Sequence, residues 1–254
     1  MICLIRAGLL GFIILHYIPL QGSALDSSSK IHSSASIHPS VIMEGDIEIG
    51  SNTIIGAGSY LKGPLVIGAN NQIGHQVMIG VDPEHKTKPP KGHVLIGNGN
   101  VIREFSVIQR GIGDLETQIQ NDCYIMAYTY IAHDCLIESD VILCARVSLS
   151  GHCHILKGAV LGLACCTHQY TTIGSHAFVG MGSIVVKDVP PFCIVMGNPA
   201  HFTRFNSHPL EKFGIKVEDL EIENSALQSQ HPYATECMNS FKSHVRRKVI
   251  PLVD

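Results

Sequence analysis

The stretch "YIMAYTYIAHDCLIESDVILCARVSLSGHCHI" (residues 124–155) decides the fold, because its large aliphatic side chains recur at every sixth position: Ile125, Ile131, Ile137, Leu143, Leu149 and Ile155. Two residues before each stands a small or β-branched partner: Cys123, Thr129, Cys135, Val141, Val147 and Cys153. Neither the period of two of a half-buried strand nor the 3.6 of a helix gives this spacing. The same column continues outward in both directions. Downstream it reads Leu161, Thr167, Ile173, Val179 and Val185; upstream it passes Ile119, then Ile108, Ile102 and Ile96, and runs again from Ile79 back to Ile31.

A unit of six with one large aliphatic and one small residue fits a short strand followed by a corner, and three such units close a triangular coil. The large residues stack into an interior column, and successive coils satisfy one another's backbone groups as parallel strands. Residues 31 to 188 then make about eight coils, allowing for loops. The prediction is an all-β solenoid, a parallel β-helix of hexapeptide repeats over residues 25–200, with a short helical C-terminal region over 201–254. The 24 glycines, the absence of tryptophan and the 15% charged content agree with many tight corners.

A formal charge of -3 gives no support to nucleic-acid binding. Four of the nine cysteines, Cys123, Cys135, Cys153 and Cys165, fall on the small interior track, where cysteine packs as a small hydrophobe. There is no paired CxxC motif, and adjacent Cys165 and Cys166 point to opposite faces, so no metal site is expected and the chain reads as reduced and cytoplasmic. Residues 1–24 pull the other way: Arg6, an apolar run from Ala7 to Leu20 and the small residues Gly22 to Ala24 resemble a secretory signal.

Function collects where a solenoid is interrupted. The interruptions are "VDPEHKTKPPKGHV" (81–94), a lysine-bearing arm able to hold a phosphate, and "RGIGDLETQ" (110–118). Histidine supplies further chemistry. His133, His152 and His168 are separated by roughly one coil and should form one stripe. Asp134 beside His133 can orient its ring, and Gly151 allows a backbone N–H to approach a developing oxyanion; base, orienter and oxyanion donor together suit acyl transfer.

In order and spacing, "IREFSVIQRG", "IAHDC", "SGHCHI", "THQY" and "KDVPPFCIVMGNPA" resemble the bacterial acyl-acyl-carrier-protein UDP-N-acetylglucosamine O-acyltransferases, which start lipid A synthesis. The resemblance spans about residues 31 to 215. It implies a left-handed helix, a homotrimer with clefts between subunits, an acyl-carrier-protein thioester as donor, a UDP-amino sugar as acceptor, and no cofactor. By the same resemblance His133 is the general base, Asp134 its support and Gly151 the oxyanion donor. Glu84, Lys86, His152, His168 and Gln169 match substrate-contacting positions, and Met181 matches a residue that measures acyl length; its bulk implies a shorter acyl chain.

The chain departs from the family pattern at Gln109 and Tyr130, which replace histidines, at Pro199 in "GNPA", and at Lys212 and Phe213, where two arginines are expected. These changes bear on the acceptor, which could carry a 3-hydroxyl or a 3-amino group. Two other readings stand beside this one: an acetyl-CoA-dependent sugar acetyltransferase, and an inactive β-helical scaffold. The basic tail "FKSHVRRKVIPLVD" reads as a solvated, partly helical end or as a dock for an acidic carrier protein.

Overall fold

The computed structural model describes residues 30–86, 91–223 and 226–252. The signal-like segment of residues 1–24 lies outside them. Strands of two to six residues fall into three sheets, parallel except for one closing hairpin, that the chain visits in rotation. Sheet I carries eight strands from Lys30–Ile31 to Thr172–Ile173, and sheet III eight from Ile42–Glu44 to Ile184–Val185. Sheet II has ten, beginning at Ser36–Ile37 and ending in an antiparallel hairpin, Cys193–Gly197 with Ala200–Phe205. That hairpin carries the sheet past residue 200, where the sequence reading placed the end of the repeats.

Registers show why the period is six. Outside the two interruptions and the last turn, each strand residue pairs with the one eighteen positions on, as Ile125 does with Leu143. The column residues therefore stack directly, Ile125 under Leu143 under Leu161 under Val179, and all are buried. The small track has a second logic: its hydroxyls and thiols donate to a corner carbonyl fifteen residues ahead. Thr53 reaches Gly68 O at 2.7 Å, Ser59 reaches Gly74 O at 3.0 Å, and Cys123, Cys135, Cys153 and Cys165 do the same toward Glu138, Ser150, His168 and Gly180. A small side chain with one weak donor is what a buried corner needs. The eight cysteines among the described residues are all free thiols.

The corners demand a left-handed backbone at one residue each. Asp134 (φ 60°), His152 (φ 62°) and Tyr170 (φ 64°) occupy it along the corner from sheet III to sheet I, where aspartate and histidine tolerate it better than branched residues do. Both interruptions leave from this same III–I corner. The first lies between Met78–Val81 and His93–Ile96, where the spacing grows to 29; the second lies between Val107–Gln109 and Glu116–Ile119, where it is 23.

Beyond the coil come helix α1 (Ser207–Phe213), a short hairpin of Leu220–Glu223 with Ala226–Ser229, and helix α2 (Pro232–His244). The C-terminal region is thus helical with one added hairpin. Among the described residues no helix is long and apolar enough to cross a membrane.

Candidate functional site

The III–I corner brings together most of the candidate residues. His133 Nδ1 stands 2.8 Å from Asp134 Oδ2, while the Asp134 Oδ1 accepts the Ile112 N–H at 2.9 Å and the Asp134 N–H donates to Thr117 Oγ1. His152 Nε2 approaches the same Oδ2 at 3.4 Å. Burial works to raise the Asp134 pKa, but the bonds from His133 and Ile112 and the nearby imidazoles outweigh it and hold the carboxyl below its ordinary value. An ionised Asp134 accepts the Nδ1–H of His133, so the lone pair of Nε2 is free to take a proton.

Gly151 lies one coil beyond His133, and its place is sterically dictated. A Cβ there would sit 2.5 Å from His133 Cε1 and 2.8 Å from Nε2, so the ring occupies the space that a side chain would need. At the equivalent position of the preceding coil the His133 N–H donates to Gln109 Oε1 at 3.3 Å. Among the described residues the Gly151 N–H has no such backbone or side-chain acceptor. It is an available donor beside the base.

The described part of the first loop folds back onto this corner. Asp82 is held by Lys62 at 3.0 Å and by Arg110 at 2.6 Å, Glu84 accepts the Tyr130 hydroxyl at 2.8 Å, and the His85 ring stands edge-on to His133 with centroids 6.1 Å apart. Burial, then the Glu84 carboxylate, pushes the Tyr130 phenol well up, so it stays a protonated donor. Lys86 is exposed on the same loop, whereas Gln109 is only 2% exposed, with its amide oxygen facing the His133 backbone.

The predicted histidine stripe needs correction. With a spacing of eighteen, His152 stacks in line with Asp134 and Tyr170; its ring packs T-shaped on His133 (5.1 Å) and flat on Tyr170 (4.4 Å). His168 is two residues out of that register, in line with Ser150. It meets Arg247 of the tail instead: Arg247 Nη1 lies 2.9 Å from His168 Nδ1 and donates to Gln169 O at 3.1 Å. The tail is therefore folded against the coil, with the Asp188 carboxylate accepting the N–H groups of Thr172, Arg246 and Arg247.

Two predicted residues lie elsewhere. Met181, 76% exposed, projects from the II–III corner on the opposite edge of sheet III, near exposed Leu163 and Tyr128. Lys212 sits on α1 with its ammonium 5.5 Å from the Phe213 ring centre, beside the I–II corner. His85, Tyr170 and Arg247 were missed. Counting eighteen from His152 finds Tyr170; no periodicity points to His85 or Arg247.

The donor atoms of His133, Asp134 and His152 lie within 4.8 Å of one another and could share a divalent metal ion. Without one, the same groups form an imidazole held by a carboxylate, with an amide donor alongside.

Residues 28–63 match the bacterial transferase hexapeptide family (six repeats). The chain is 37% identical over 205 residues to an acyl-[acyl-carrier-protein]–UDP-N-acetylglucosamine O-acyltransferase of Stutzerimonas stutzeri, covering 75% of this chain and 80% of the relative. A Xanthomonas euvesicatoria relative of the same name is 34% identical over 76% of this chain and 80% of its own length. Among solved structures, the Francisella novicida UDP-N-acetylglucosamine acyltransferase superposes with a TM-score of 0.73 at 28% identity, over 88% of this chain and 92% of its own.

Proposed function

Because the chain belongs to the acyl-[acyl-carrier-protein]–UDP-N-acetylglucosamine O-acyltransferase family, we propose that it transfers a 3-hydroxyacyl group from acyl carrier protein to the 3-position of UDP-N-acetylglucosamine or a close UDP-amino sugar, the first step of lipid A biosynthesis. The observation that carries this reading is the 2.8 Å contact from His133 Nδ1 to Asp134, with Gly151 packed against the His133 ring.

The chemistry follows from those atoms. His133 Nε2 removes the proton of the sugar hydroxyl as its oxygen attacks the thioester carbonyl, and Asp134 stabilises the imidazolium that forms. The Gly151 N–H donates to the oxyanion of the tetrahedral intermediate. Collapse expels the carrier's thiolate, which takes the proton back from His133. The thioester is already activated, so the reading calls for no cofactor. Glu84, Lys86, Tyr130, His152, His168 and Gln169 are assigned to the acceptor. Gln109 acts from beneath by holding the His133 backbone.

Met181 and Lys212 cannot serve the same corner of one chain. The assignment of Met181 rests on a left-handed coil assembled as a homotrimer, in which the II–III corner of one subunit faces the III–I corner of the next; Lys212, beside the I–II corner, is not brought to the site by that contact. A fully active monomer would count against that arrangement. Met181→Gly should then lengthen the preferred acyl chain, with each buried methylene worth about 0.8 kcal/mol, or roughly fourfold in rate ratio. Carrier-protein and nucleotide-sugar substrates support a cytoplasmic setting for the reaction.

The deciding assay uses 3-hydroxyacyl carrier proteins of graded length with UDP-N-acetylglucosamine, its 3-amino analogue, and acetyl-CoA as the competing donor. Product from a carrier thioester supports the proposal; product from acetyl-CoA alone, or none, overturns it.

A further inference from the structure

The C-terminal tail is separated from the corner histidines by some eighty residues of sequence, yet it bonds directly to one of them. Arg247 Nη1 lies 2.9 Å from His168 Nδ1, 79 residues away along the chain. A guanidinium has five donors and no acceptor, and it does not lose its proton. His168 Nδ1 must therefore be the acceptor in this contact and carries no hydrogen. Nδ1 is also 3.1 Å from Gln169 O, which would favour the other tautomer. That carbonyl, however, already receives Arg247 Nη1–H at 3.1 Å, and an Nδ1–H would be driven against the guanidinium.

The guanidinium is itself anchored. Its Nε–H donates to Val186 O at 2.9 Å, and the backbone N–H of Arg247 and that of Arg246 both donate to Asp188 Oδ2 at 2.8 Å. Asp188 is fully buried, and its other oxygen takes the Thr172 N–H at 2.7 Å. Asp188 stands opposite Thr172 on the next turn, as Val189 does opposite Ile173, so the sheet I side of this corner ends in a carboxylate that fastens the tail.

We propose that Arg247 is a positioning residue that fixes His168 as the neutral Nε2–H tautomer, making this exposed ring a dedicated hydrogen-bond donor to a carbonyl or phosphate oxygen of the nucleotide-sugar acceptor. The proposal rests on the acyltransferase reading for its ligand, and on the contact geometry alone for its tautomer. It gives the basic tail a task other than solvation or carrier docking.

The test is Arg247→Met, which keeps the aliphatic stem and removes the donors, with Arg247→Lys as the conservative variant and Lys248→Ala as the control for tail charge. The Met variant should raise the KM for UDP-N-acetylglucosamine about tenfold, as loss of one charge-assisted arrangement does, with kcat within twofold. The Lys variant should recover most of that loss, and Lys248→Ala should leave KM unchanged. In ring-15N-histidine protein, with the His168 signals assigned by their loss in His168→Gln, the parent should show Nε2 protonated and Nδ1 bare, and Arg247→Met a mixture.

An unchanged KM in Arg247→Met, or an Nε2–H tautomer that persists without the guanidinium, overturns the proposal. So does a drop in Tm and kcat together with constant KM, since that is what a purely structural strap would give. If the parent transfers no acyl group, the functional reading fails, while the nitrogen shifts still decide whether Arg247 sets the tautomer.

Discussion

Two corners of the coil each hold an imidazole against a glycine on a neighbouring turn, and they differ in what surrounds the ring. At the III–I corner His133 lies over Gly151; at the I–II corner His176 (φ 58°) lies over Gly158, where an added Cβ would collide with its ring. His133 has a carboxylate on Nδ1 and lies among His85, His152 and Gly151. His176 is enclosed by Phe192, Phe213 and Tyr233 at centroid distances of 5.5, 5.0 and 5.7 Å, and its Nε2 is within 2.7 Å of the Tyr233 hydroxyl. The same packing of imidazole on glycine thus sits at the proposed base at one corner and at a packing residue at the other. Covering by α1 and α2, and the lack of a carboxylate bonded to the ring, separate the two.

The comparison is broken most sharply by exchanging the alanine substitutions. His133→Ala should cut kcat about a thousandfold with little change in Tm, whereas His176→Ala should keep its turnover and lose about 2 kcal/mol of stability from the emptied aromatic box. Steady-state kinetics and thermal melts on both proteins check it; a His176 variant with equally depressed turnover would falsify the division of labour. Next in size is Asp134→Asn, which retains the shape but no longer stabilises an imidazolium; kcat should fall about a hundredfold while KM holds.

The two glycines give the third test. Gly151→Ala should lower kcat about a hundredfold, since the methyl group displaces the base and crowds the amide beside it. Gly158→Ala, at φ 68°, should show its effect in Tm instead, by about 1–2 kcal/mol.

The smallest effect is in pH. Burial foremost, then Lys157 and Lys212, pushes His176 down to about 4, and burial with Arg246 nearby does the same to His154. In the unfolded chain such groups titrate near 6.5. Between those values the unfolded state binds more protons, so stability is fully present above the unfolded pKa and is lost as pH falls from about 6.5 toward 4. Asp134 is lowered from a carboxylate's value, so its contribution is lost only in a more acid window. Melts from pH 7 to 4 should fall, and His176→Phe should flatten part of that slope; an unaltered slope would place the titration elsewhere.

The coil was legible because each turn repeats the same demand: Ile125, Leu143, Leu161 and Val179 are one interior position seen four times. His133 and Asp134 were legible for the opposite reason, as a polar pair set into that repetition, and the family pattern named them. The stripe through His168 misled because neighbours in register are eighteen apart, and separations of 19 and 16 do not stack. His85 and Arg247 were hidden. One arrives on a loop and the other from beyond α2, and contacts made by chain that folds back leave no periodic mark. The polar asparagines Asn71 and Asn100, bonded to each other at 3.0 Å inside the coil, escaped notice likewise, since their amides matter only once the turns are stacked.

Both interruptions depart from the III–I corner, and the strands on either side resume their pairing, Ile67 with Ile96 and Ile96 with Ile119. Change in chain length is thereby confined to one seam running the height of the prism, while the other two vertices keep their rhythm. The seam is also where the proposed base stands. A protein built this way can revise what its active corner touches, by lengthening or shortening a loop, without asking any other turn to move.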